Sequence, residues 1–79
     1  MATDTTYEIW VLGENEDHTA NDYERLVCGL INDERWAWEL FRLAEDIVSK
    51  PAETPNARLV LEQVYKDTCI NVLAETELG

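Results

Sequence analysis

Histidine, serine and glycine are scarce in this chain, and each scarcity removes a class of chemistry. There is one histidine, His18, and one serine, Ser49. A hydrolase of the usual kind needs a nucleophile held beside a base, and neither a second histidine nor a serine in a glycine-flanked turn is present. The three glycines do not cluster, so no phosphate-cradling loop exists. Two cysteines, Cys28 and Cys69, are too few for a disulfide scaffold, and the runs LVCGLI and TCINVL lead us to expect two small buried thiols, with a disulfide as the alternative. A structural zinc takes about four nitrogen or sulfur donors, more than His18 and these cysteines assemble at any ligand spacing. Calcium is equally ill served, because Glu14, Glu16, Asp17 and Asp22 lack the alternating order and closing glutamate of the familiar loop. The expectation is a protein that is not an enzyme and has neither cofactor nor metal.

Basic residues are the next shortage: six Lys and Arg stand against 17 Asp and Glu, for a formal net charge of −11 and a pI near 4.2. Nucleic acid and anionic membrane would both be repelled by such a chain, whereas a basic protein surface would be attracted. Acidity of this degree also serves solubility alone. No apolar run approaches the roughly 20 residues of a membrane span. MATDTTYEIW has no basic segment leading into an apolar stretch, so we expect no signal peptide and a cytoplasmic location, that of the host cell if the chain is phage-encoded.

What is present is the composition of a folded domain: 46% hydrophobic residues, with three Trp, three Tyr and one Phe, in 79 residues. A chain this short builds one modest core, so residues 1–79 form a single compact domain, with the Pro-containing stretch 51–57 as a linker inside it. TYEIWVL alternates Tyr7, Ile9 and Val11 with Glu8, Trp10 and Leu12 and reads as a strand ended by Gly13. Residues 23–31 read as a second strand, since Gly29 weakens a helix while Val27, Cys28 and Ile31 suit a sheet. Asn32-Asp33 offers a helix cap, and a helix runs to about Ser49-Lys50, stopped by Pro51. Its apolar residues Trp36, Ala37, Leu40, Leu43, Ala44, Ile47 and Val48 form the face expected against the sheet. The other face carries Arg35, Trp38, Glu39, Arg42, Glu45 and Asp46, where Arg35 with Glu39 and Arg42 with Asp46 are spaced to pair. Trp38 on that face is a candidate contact residue, with packing over Arg42 as the competing reading. RLVLEQVYKDTCINVLAETELG reads as two strands around a Lys66-Asp67-Thr68 turn, with one long helix as the rival. The fold class is then α+β, an antiparallel sheet with one main amphipathic helix in the order β-β-α-β-β; the alternative is an N-terminal strand followed by a helical bundle.

One constellation carries chemistry. Glu14, Glu16, Asp17, Asp22 and Glu24 fall within eleven residues that contain no Lys or Arg, so no neighbour in sequence neutralises them. Carboxylates spaced along a hairpin engage the Lys and Arg side chains that a nucleic-acid-binding surface presents to phosphates. The stretches YEIWVLGENED and NDYERLVCGLINDERWAWELFRLAED, about half the chain, resemble the opening of small phage and bacterial proteins with a Tyr-Glu-x-Trp strand, an acidic hairpin and a helix. Compact acidic inhibitors such as the anti-CRISPR proteins are similar in size, charge and layout, and many of those block a host nuclease complex by occupying its DNA-binding surface. The resemblance implies a DNA mimic that binds a basic surface on a nucleic-acid-binding complex. The reading from a different class is a small adaptor or homodimeric module docking through apolar residues such as Trp10, Trp38 and the end strands.

Overall fold

A computed structural model describes residues 5–14, 21–50, 54 and 56–78. Its elements are β1 (Thr5–Glu14), β2 (Asn21–Ile31), α1 (Glu34–Ile47), β3 (Asn56–Tyr65) and β4 (Thr68–Glu77). The strands form one antiparallel sheet in the order β2-β1-β3-β4, so the expected β-β-α-β-β arrangement is present and the helical-bundle alternative is not. Both β2 and β3 run antiparallel to β1, which lies between them; α1 therefore closes a crossover between two parallel strands and contacts β1, β2 and β3.

The period-2 pattern of β1 decides which side chains meet the helix. Tyr7, Ile9 and Val11 are buried on the helix side, where Ile9 lies opposite Leu61 and Val11 opposite Leu59 on β3. The rival helix for residues 57–77 fails because Val, Ile, Thr and Tyr lose rotamer freedom in a helix yet pack well on a pleated surface. The β3–β4 turn is two residues long, with Lys66 at φ 48° and Asp67 at φ 65°. Two left-handed residues make a turn whose twist matches the strands it joins. Leu30 is also left-handed (φ 55°), where β2 takes three residues to match two on β1 between Cys28 and Ile31.

Asp33 caps the helix: its Oδ1 accepts from the backbone N–H groups of Arg35 at 2.9 Å and Trp36 at 3.3 Å, and Glu34 adds negative charge to the first turn. The helix ends at Ile47, short of the expected Ser49-Lys50. Val48 still donates to Ala44 O at 2.8 Å but is already extended (ψ 125°).

The expected buried face of α1 is corrected. Ala37, Phe41 and Ala44 are buried against the sheet, with Val48 next to them, whereas Trp36, Leu43 and Ile47 are exposed. Two stripes, 36-40-43-47 and 37-41-44-48, share the spacing four, three, four. The second wins because two alanines let the helix approach the sheet closely while Phe41 fills the space between them. Trp38 is corrected with it: the indole is half-buried, packs against the core and meets Phe41 edge-on, with ring centroids 6.3 Å apart.

The linker is corrected at one end, since Asn56 and Ala57 already belong to β3; residues 51–53 and 55 lie outside the described residues. Thr54 is buried against Gly13, and a Cβ at Gly13 would collide with its Cγ2. Gly13→Ala is accordingly expected to destabilise by about 1–3 kcal/mol, and Gly13→Ala with Thr54→Ser to recover most of that. Urea denaturation of the two variants checks it; equal losses in both would contradict the close approach.

Candidate functional site

The sheet's second face has no helix over it among the described elements. Alternation puts Glu8, Trp10, Leu12 and Glu14 of β1 on this face, and the register adds their partners. Glu62 lies opposite Glu8, Val60 opposite Trp10 and Arg58 opposite Leu12 on β3; Glu24 lies opposite Leu12 and Leu26 opposite Trp10 on β2. On β4, Glu77 lies opposite Arg58, Glu75 opposite Val60, and Val72 opposite Glu62. Val60 is only 1% exposed although no helix covers it. The large side chain of Trp10, directly across from it, supplies the neighbouring bulk.

The face therefore carries six carboxylates, Glu8, Glu14, Glu24, Glu62, Glu75 and Glu77, with Arg58 as the one basic residue that the register sets among them. Arg58 neutralises one end. Its Nη1 donates to Glu14 Oε1 at 2.9 Å, and its Nε lies 3.0 Å from Glu75 Oε2 as an ion pair lacking the alignment of a hydrogen bond.

The other end is held differently. Glu8 and Glu62 are directly opposed like charges, a pairing that ordinarily destabilises a sheet. Glu8 Oε1 accepts the Trp10 indole N–H at 3.0 Å, which fixes that carboxylate beside the ring. Partial burial pushes the Glu62 carboxyl above its ordinary value; the Cys69 thiol hydrogen bond opposes the rise, and the carboxylates of Glu8 and Glu24 add to it. Burial, followed by the charge of Glu62, also raises the Cys69 thiol, so Cys69 is not activated as a nucleophile.

Glu62 supplies a pH test of this geometry. Folding raises its pKa above the reference value of 4.5, so the folded chain holds that proton more tightly than the unfolded chain. The contribution is fully present below the unfolded value and is lost as pH rises through the folded one. Glu62→Gln should then be more stable than the parent at pH 7 and should flatten that part of the stability–pH curve. A variant less stable than the parent at pH 7 in chemical denaturation contradicts the account.

The sequence-predicted site residues fare unequally. Glu24 is exposed on the uncovered face. Glu14 is on it too; no neighbour in sequence neutralises it, but Arg58, 44 residues away, reaches it through the β1–β3 pairing. Glu16 and Asp17, with His18, lie outside the described residues. Asp22 lies in β2, and its side chain lies outside what is described. Trp38 belongs to the core side of the molecule. The two cysteines are corrected as well: Cys28 is half-buried and Cys69 exposed, both free, on opposite edge strands of the sheet.

Sequence reasoning missed Glu8 and Glu62 as a pair. Alternation sets Glu8 on the side of its strand opposite Ile9, and Glu62 on the side opposite Leu59 and Leu61. Only the pairing of β1 with β3 sets them face to face. No group of three or more His, Cys, Asp or Glu among the described residues is arranged to hold a metal ion, and no helix of the described residues is long and apolar enough to cross a membrane. No protein-family model, curated protein or solved structure matches the chain.

Proposed function

We propose that this chain is a non-catalytic inhibitor that acts as a DNA mimic, of the kind phages direct at host nuclease complexes, and that it binds a basic, nucleic-acid-binding protein surface through its uncovered sheet face. The observation that carries the reading is six carboxylates against one guanidinium on a face left open by the helix. A β-sheet spaces such groups about 6.8 Å apart along a strand and about 4.8 Å across strands, so they form a fixed two-dimensional array. Lys and Arg side chains arranged for phosphates can each find an acceptor in it. Trp10, Leu12, Leu26 and Val72 lie among the carboxylates and offer apolar surface to the stems of those long side chains.

Electrostatics also disfavours a covering layer on this face, where no described helix lies. Apart from Glu14 and Glu75, which Arg58 engages, these carboxylates would be too unfavourable to desolvate without a counter-charge, and a basic partner supplies it. Binding should accordingly weaken steeply with salt, by about tenfold or more between 50 and 200 mM, as steered charge pairing requires. The test is capture of the partner from a bacterial lysate on immobilised protein, identification by mass spectrometry, and titration of the purified pair across that salt range. An affinity independent of salt would favour an apolar interface and remove the mimic reading.

A further inference from the structure

The helix carries more apolar surface than its contact with the sheet uses. Trp36, Leu40, Leu43 and Ile47 follow one another at spacings of four, three and four, forming a continuous stripe on one flank of α1. Trp36 is 54%, Leu43 55% and Ile47 69% exposed, with Leu40 half-buried between them. These side chains expose on the order of 300–400 Å², the size at which an apolar patch on a small protein marks an interaction site. A second ridge, Arg35, Glu39, Arg42 and Asp46, runs beside the first with the same spacing, one residue earlier at each step, and all four are exposed. It alternates in sign and sums to zero, on a chain whose net charge is −11.

We infer that this flank binds a second copy of the chain, the two α1 helices packing antiparallel about a two-fold axis beside the middle of the stripe. The charge order selects both the occupant and the direction. Read from its two ends, the ridge is complementary to itself: Arg35 comes level with Asp46 of the partner subunit, and Glu39 with Arg42 of the partner subunit. The same axis brings Trp36 to within two residues' rise, about 3 Å, of Ile47 of the partner subunit, and Leu40 equally close to Leu43 of the partner subunit. A parallel two-fold pair would instead put the two ridges on opposite sides of the seam, where no charge of one meets its complement on the other. Self-association through the open sheet face is opposed by its carboxylates, whereas the neutral ridge carries no such penalty. A stable interface buries about 800 Å² per partner; the stripe supplies its apolar centre and the ridge its polar rim. The dimer does not depend on what the acidic face binds, and it leaves one such face on each subunit free.

Sedimentation equilibrium on the purified chain, from about 1 to 200 µM, tests this. The expected species has twice the 9.1 kDa mass of the chain. Leu43→Glu should be monomeric with an unchanged far-ultraviolet circular dichroism spectrum; if it does not fold, Ile47→Glu, at the most exposed position of the stripe, takes its place. Arg35→Asp and Asp46→Arg should each weaken the dimer roughly tenfold, and the double variant should recover to within about threefold of the parent. Each single also sets two like charges four residues apart on its own helix, and the double does so twice, so recovery reports the contact between subunits alone. A parent chain that stays monomeric throughout, or a dimer that survives a folded stripe variant, overturns the proposal. A double variant weaker than either single overturns the antiparallel arrangement.

Discussion

Changing Glu8, Glu24 and Glu62 together to lysine should abolish binding to the basic partner while leaving the chain folded. Each reversal turns an attraction into a like-charge contact that costs on the order of 2–4 kcal/mol at an interface, so even one fully engaged position gives about a hundredfold loss. Stability should move far less. Three lysines keep the repulsion that three glutamates already have across β2, β1 and β3, and the specific losses are the Trp10 hydrogen bond to Glu8, about 1 kcal/mol, and the weaker thiol hydrogen bond from Cys69 to Glu62. Long-range steering is separated from contact by two single variants of equal net charge. Glu24→Lys on the open face should weaken binding at least about tenfold, whereas Glu45→Lys on the helix should change it less than about threefold, mainly through association rate. Isothermal titration against the purified partner reads both. Equal effects at the two positions would show that net charge, rather than this face, drives binding.

The second large effect concerns the core. Phe41→Ala is expected to destabilise the fold by about 3–5 kcal/mol, since it leaves a ring-sized cavity between Ala37 and Ala44 and removes the edge-on contact with Trp38. For a domain of this size that is much of the total stability. Ile47→Ala, at a side chain that is mostly solvent-exposed, should stay within about 0.5 kcal/mol in the monomer. Thermal or urea unfolding at low protein concentration measures both, and the reverse ranking would mean that the 36-40-43-47 stripe, not 37-41-44-48, faces the sheet.

That ranking also indicates where the sequence is legible. Strand β1 follows from alternation and the helix start from the Asp33 cap, both acting within a few residues. Strands β3 and β4 follow from β-branched and aromatic composition and the Lys66-Asp67 turn, since helical spacing fits that stretch as well as alternation does. The face of α1 does not follow, because apolar residues occupy two adjacent stripes of identical spacing. The choice between them rests on how closely Ala37 and Ala44 allow the helix to approach a sheet that the sequence alone does not position. The candidate site divides in the same way. The outward direction of Glu8, Glu24 and Glu62 can be read from their neighbours. The meeting of Glu62 with Glu8, and of Arg58 with Glu14, depends on pairing between strands more than 40 residues apart in sequence, while the Arg58–Glu75 contact lies within the β3–β4 hairpin. The buried thiols were misjudged for a related reason: apolar neighbours identify a strand, but Cys28 and Cys69 lie on edge strands, where burial is incomplete.

The central claim, that the open sheet face occupies a surface built for nucleic acid, is tested most directly by competition. Once the partner is identified, labelled duplex DNA bound to it is titrated with the unlabelled protein and followed by fluorescence anisotropy. Displacement to completion is expected, with the apparent DNA affinity falling in proportion to added protein and the Glu8, Glu24, Glu62 triple-lysine variant inactive as a competitor. A ternary complex in which DNA and this protein bind the partner together, each with its affinity unchanged, would contradict it.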